Sequence, residues 1–185
     1  MSDHKIKFAF FTIPEYEKEQ EWLRKLHNEG WRLVDAWLPG VYRFKECLPE
    51  DVVYQLDYNP EGRTERLEYI QMFHDCGWEY ITDMAGYSYF RKPVSEMGED
   101  EEGIFCDDAS KIDMMERVYK GRMIPILVIL FAVILPQLFL QASMDYWINH
   151  LVFVIYVILL ILYIVLIVRF RTQYVTLKNK INKLV

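Results

Sequence analysis

Two uninterrupted apolar runs constrain this chain more than any other feature. From Met123 to Ala142 the sequence MIPILVILFAVILPQLFLQA carries no charge, and from Leu151 to Val168 LVFVIYVILLILYIVLIV is apolar throughout. Each run is close to the roughly 20 residues that a helix rising about 1.5 Å per residue needs to cross about 30 Å of hydrocarbon. The pattern predicts a two-helix transmembrane hairpin over residues 123–168, closed by SMDYWINH with Tyr146 and Trp147 at headgroup level. Arg117, Lys120 and Arg122 precede the first run, Arg169 and Arg171 follow the second, and the connection has neither Lys nor Arg. By the positive-inside rule both termini face the cytoplasm of a multi-pass, two-span protein. Pro125 falls in the first turn of the first run, whereas Pro136 lies well inside it and predicts a bend near residues 132–136. Neither run contains Asp, Glu, Lys, Arg or His, so transport by one copy of the hairpin is not expected.

Charge divides along the same boundary. Residues 1–122 hold 16 Lys/Arg against 26 Asp/Glu, a net of −10, whereas the remainder has five basic residues and the single acid Asp145. An acidic soluble region repels phosphate backbones, so no direct nucleic-acid partner is expected. Cys47, Cys76 and Cys106 lie about thirty residues apart with no CxxC pair, which fits a reducing compartment better than a disulfide framework or a zinc site. The opening MSDHKIKFAFF lacks the three-part pattern of a signal peptide and is read as the start of the fold.

Within residues 1–93 the sequence repeats. The segment from Glu15, EYEKEQEWLRKLHNEGWRLVDAWLPGVYRFK, aligns with that from Gly62, GRTERLEYIQMFHDCGWEYITDMAGYSYFRK, at an offset of 47 that becomes 46 after one deletion. Trp22 then matches Tyr69, Leu26 matches Phe73, His27 matches His74, Gly30-Trp31 matches Gly77-Trp78, and Phe44 matches Phe90. Each copy opens on a strand-like run, IKFAFF or VVYQLDY. A helix follows, with Trp22, Leu23 and Leu26, or Leu67, Ile70, Phe73 and His74, at helical spacing. Gly30 and Gly77 stand where a helix C-terminus takes a left-handed residue, and turns at Pro39-Gly40 and Ala85-Gly86 close hairpins. The predicted class is α+β: a duplicated β-α-β-β unit in a ferredoxin-like antiparallel sheet with two helices on one face.

Beyond it, residues 94–109 read as an acidic linker, and 110–122 as a juxtamembrane helix opened by the Ser110–Asp113 capping-box spacing. Residues 169–185 form a basic amphipathic tail, with Tyr174, Leu177, Ile181 and Leu184 at helical steps among lysines.

Candidate functional residues are few. His27 and His74 end equivalent helices, where a helix dipole favours imidazolium, so the pair is a candidate pH or metal site, against the plainer reading of helix-end capping. With no third ligand at recognisable spacing, neither a bound metal nor a cofactor is expected. The strands are unusually aromatic; alternation places about half of these rings under the helices and the rest on the opposite face. Trp37, Tyr42, Tyr54, Tyr58, Tyr87 and Tyr89 are the candidates for a ligand or partner surface there. Asp35, Asp57, Glu79 and Asp83 have no accompanying nucleophile or phosphate-cradling loop and read as solvated strand residues. No catalytic constellation emerges, and an enzyme is not expected.

The stretches EWLRKLHNEGWRL, VYRFKE, YIQMFHDCGWEYI, YSYFRK and IFCDDASKI together resemble domain of unknown function 2812 over roughly residues 5–120. That resemblance implies a membrane-anchored protein of Gram-positive bacteria, often encoded beside PadR-type transcriptional regulators, with a role in a membrane-linked regulatory response and not in catalysis. The family has no established catalytic residues to carry over. Two functional readings follow. In one, the acidic domain is a sensing or adaptor module held at the lipid bilayer, binding a ligand or a cytoplasmic regulatory protein. In the other, the chain is an accessory subunit of a membrane complex or transporter with the hairpin as interface, although only Ala132, Ala142 and Gln137 supply small or polar residues there. A homo-oligomer is compatible with either.

Overall fold

The computed structural model describes residues 4–38, 40–59, 66–98, 108–142 and 147–182. Contacts divide the chain into two units, Met1–Met114 and Met115–Val185.

The first unit runs β1 (His4–Phe8), α1 (Tyr16–Asn28), β2 (Trp31–Leu38), β3 (Val41–Glu46), β4 (Val52–Tyr58), α2 (Arg66–Asp75), β5 (Glu79–Met84) and β6 (Tyr87–Pro93). Helix α1 buries Glu19, Leu23, Leu26 and His27, a stripe at four- and three-residue steps. Helix α2 has a narrower stripe: Phe73 is buried with Tyr69 packed beside it, whereas Leu67 and His74, predicted for its inner side, are exposed. Stepping from Tyr69 to Phe73 puts Leu67 across the helix from the sheet. Both helices end as predicted, at Gly30 (φ +87°) and Gly77 (φ +80°), where a Cβ would meet the left-handed penalty.

The strands form two antiparallel sheets, ordered β1-β3-β2 and β4-β6-β5, in place of the single sheet that the repeat predicts. Strand β2 lies against β5, but its edge is satisfied differently from a ladder. The Leu33 N–H donates to Tyr54 Oη at 3.2 Å and the Leu33 carbonyl accepts from Arg91 Nη1 at 3.1 Å. These side chains take edge groups that strand pairing would otherwise use. Helix α1 contacts β2 of the first sheet and β4 of the second, while α2 packs on β5.

The two ladders have matching rows. In the first sheet Phe8–Val41–Leu38 and Ile6–Arg43–Asp35 lie side by side across the strands. In the second these rows are Tyr58–Tyr87–Met84 and Leu56–Tyr89–Thr82. Register slips between Leu33 and Asp35, and again between Tyr80 and Thr82. The first sheet has one more slip, between Ala36 and Leu38. On the helix side, Trp22 and Phe44 ring centroids lie 5.7 Å apart, and those of Tyr69 and Phe90 5.9 Å.

In the second unit and its approach the backbone is helical without a break from Asp108 to Ala142: α3 (Asp108–Val118), a π-helical stretch at Tyr119–Met123, α4 (Ile124–Ile129), a second π-helical stretch at Leu130–Ile134, and α5 (Leu135–Ala142). Each π stretch precedes a proline and contains its fourth predecessor, Gly121 for Pro125 and Ala132 for Pro136. A proline lacks an N–H and its ring crowds that carbonyl, so the hydrogen-bond ladder widens there. Pro125 therefore lies inside a continuing helix and not in a first turn. Helix α6 (Trp147–Asn182) carries the second apolar run and the basic tail as one 36-residue helix.

Two helical segments, Lys111–Leu140 and Asn149–Thr176, are long and apolar enough to cross a membrane, with mean hydropathy 2.7 and 3.5. Their apolar windows are 17% and 0% buried, unlike the core helix of a soluble protein. Of the expected acidic linker, residues 99–107 lie outside the described residues, as do Pro39 of the first hairpin turn, 143–146 of the interhelical turn and the last three residues of the tail.

Candidate functional site

Three buried polar contacts make α1 the common support of both sheets. Its Glu19 accepts hydrogen bonds from Tyr42 Oη of β3 at 2.7 Å and Tyr89 Oη of β6 at 2.5 Å. Burial pushes this carboxyl above its ordinary range, against the two phenols, which favour the charged form. In the last turn of the helix, His27 Nδ1 lies 2.9 Å from Tyr54 Oη of β4. Burial, then the nearby Arg91 and Arg32 cations, push the imidazole down to about 4, with Glu79 opposing. Arg91 itself grips Glu79 through two bonds of 2.7 and 2.6 Å. These groups are occupied with holding the interior together, which is where a buried polar group is stable.

The face of the first sheet turned away from α1 and the face of the second turned away from α2 have opposite fates. In the second sheet Tyr58 and Leu56 are 3% and 1% exposed, and Tyr54, Tyr87 and Tyr89 are buried with them. On the first sheet the residues in the same rows, Phe8 and Ile6, are 79% and 52% exposed. Leu38, Trp37 and the neighbouring Phe10 are exposed as well. The Arg43 guanidinium lies 5.6 Å from the Trp37 ring centroid and 3.0 Å from Asp35, whose other oxygen accepts from Thr82 Oγ1. The result is an open apolar and aromatic face with one basic side chain held in place by a ring and a carboxylate.

The family described as "Protein of unknown function (DUF2812)" matches residues 15–127, well over half of the chain. The chain belongs to the DUF2812 family. No curated protein and no solved structure matches it. Of the six aromatic residues that the sequence of this DUF2812 protein nominates for a partner surface, Tyr42, Tyr54, Tyr58, Tyr87 and Tyr89 are interior and Trp37 alone is at the surface. Tyr42 points to the helix side, bonded to Glu19, and the other four lie in the rows that the rest of the unit covers. His27 is buried and His74 exposed, and among the described residues no group of three or more His, Cys, Asp or Glu is placed to hold a metal ion. The four strand carboxylates are more than solvated: Asp57 is buried and accepts from Tyr69 Oη at 2.6 Å, Asp83 pairs with Arg66 at 2.7 Å, and Asp35 and Glu79 pair as described above. Cys47 is a partly buried free thiol and Cys76 an exposed one. Residues that the sequence reading passed over are Ile6, Phe8, Phe10 and Leu38; for the first two the signal was available in KIKF, where Ile6 and Phe8 alternate with Lys5 and Lys7 and so share one face of β1.

Proposed function

We propose that this DUF2812 protein is a membrane-anchored adaptor, held by a hairpin of its two apolar helices with both termini in the cytoplasm, whose first sheet binds an amphipathic helix of a cytoplasmic regulatory protein. The observation that carries the reading is the open face around Phe8, Ile6, Trp37 and Leu38. Its occupant is inferred from the second sheet of the same unit. We read residues 4–46 and 52–93 as copies of one β-α-β-β unit: the row pairings match, the slip at Val34 has its counterpart at Ile81, and the extra slip in β2 falls where the alignment drops one residue, at Trp37. In the second copy the corresponding face lies over a helix, α1, through the Glu19–Tyr89 and His27–Tyr54 contacts. A helix laid in the same way on the first copy would bury Phe8 and Ile6, as Tyr58 and Leu56 are buried. The Arg43 cation adds a preference for an acidic residue on that helix.

The test is a photoreactive phenylalanine at Phe8 of the full-length chain in intact cells, with the same residue at the exposed Leu48 as reference. One protein adduct from position 8, with the crosslinked peptide on the apolar side of a helix and no such adduct from position 48, is the expected result. Equal labelling from both positions, or an adduct only to a second copy of this chain, contradicts it.

A further inference from the structure

The second unit contains a cleft of about 560 Å³ between the helical run at residues 116–127 and α6 at 167–174. It has a polar end and an apolar end. Glu116 and Tyr174 face each other at one end, with Tyr174 Oη 3.4 Å from the carboxylate. Lys120 and Arg171 line the next level, and Met123, Leu127 and Ile167 continue it. Tyr119 and Phe170 stack with centroids 6.2 Å apart. From Glu116 to Leu127 is eleven residues, about 16 Å along a helix, the scale over which one leaflet passes from headgroup to acyl chain.

We propose that this cleft binds one anionic glycerophospholipid of the phosphatidylglycerol type, with its phosphate between Lys120 and Arg171 and the upper part of an acyl chain along Met123, Leu127 and Ile167. The inference rests on the membrane-anchored reading above. Neither Lys120 nor Arg171 has an ion-pair partner among the described residues, so both cations are available to a phosphate. With Glu116 counted, the lining carries one net positive charge, which one phosphodiester neutralises. The π-helical stretch at Tyr119–Met123 lies along this wall, and the irregular turn sets Lys120 and Met123 at the polar and apolar levels of the same cleft.

The experiment is native mass spectrometry of the full-length protein released from nanodiscs of equal phosphatidylglycerol, phosphatidylethanolamine and phosphatidylcholine. One retained phosphatidylglycerol is expected. Lys120→Gln with Arg171→Gln should weaken its retention about 25-fold, two basic contacts at roughly fivefold each. Leu127→Trp, which fills the apolar end and leaves both charges, should also displace the lipid, and Lys178→Gln on the exposed side of α6 should not. Equal retention of the three lipids, or loss on charge removal with full retention in Leu127→Trp, overturns the cleft in favour of non-specific surface attraction. Carbonate extraction of membranes, run in parallel, separates the two levels. A chain that stays in the pellet without lipid preference loses only the cleft, whereas one released by carbonate loses the anchor too.

Discussion

Phe90→Ala is expected to lower the stability of the first unit by about 3–5 kcal/mol. Phe90 is fully buried in the middle strand of the second sheet, with ring centroids 4.5 Å from Phe73, 5.8 Å from Tyr80 and 5.9 Å from Tyr69. Removing it takes away one ring and leaves three others facing a void, so the transfer and cavity costs add. The loss is read as a fall in the denaturant midpoint of tryptophan fluorescence, using the full-length protein in detergent. Leu67→Ala, on the exposed side of α2, should change the stability by no more than about 0.5 kcal/mol. Equal effects from the two substitutions would mean that α2 does not pack on this sheet through Phe73 and Tyr69.

Acidification should produce the second large effect, through His27. In the unfolded chain the imidazole takes up a proton near its ordinary value of 6.5, whereas in the fold it holds off until about 4. Between those values the unfolded state binds more protons, so stability falls as pH falls, by up to about 1.4 kcal/mol per pH unit and about 3 kcal/mol in all. It levels below the folded value and is fully present above 6.5. The groups facing the ring come from four strands: Arg32 of β2, Tyr54 of β4, Glu79 of β5 and Arg91 of β6. Glu19 acts in the opposite sense, because its raised pKa makes the folded state bind a proton that the unfolded chain has already lost. The contribution of His27 is therefore measured as the difference between the wild type and His27→Gln over pH 4 to 7. A slope towards lower stability at acid pH, present only in the wild type, is the expected outcome. A flat difference would place the imidazole in contact with water.

How far the sequence was legible depends on which physical rule was in play. Apolar runs of membrane length, helix-ending glycines and hairpin turns each follow from one local constraint, and Met123–Ala142, Gly77 and Ala85-Gly86 all occupy the positions expected of them. The helical repeat also identified Leu23, Leu26 and Phe73 as buried. Two readings failed because they needed tertiary information. Strand alternation says which face a side chain points to, but not whether anything covers that face. Alternation thus nominates Tyr54, Tyr58, Tyr87 and Tyr89 for an outer face, and they are enclosed instead. Likewise, two similar units can pair edge to edge or not, and the hydrogen bonds of Leu33 with Tyr54 and Arg91, invisible to periodicity, belong to the second outcome. The two prolines were seen, but their neighbours were needed to tell that Pro125 interrupts a helix already under way since Asp108.

The most direct measurement is the side of the membrane on which each end of the chain lies. With Cys47 and Cys106 replaced by serine, the exposed Cys76 of the first unit reports on one end, and Asn179→Cys in an otherwise cysteine-free chain reports on the other. Both should remain in carbonate-washed membranes and react with an impermeant maleimide only after the cells are opened. Labelling of either cysteine in intact cells, or release of the protein by carbonate, would contradict a hairpin anchor that holds both ends in the cytoplasm.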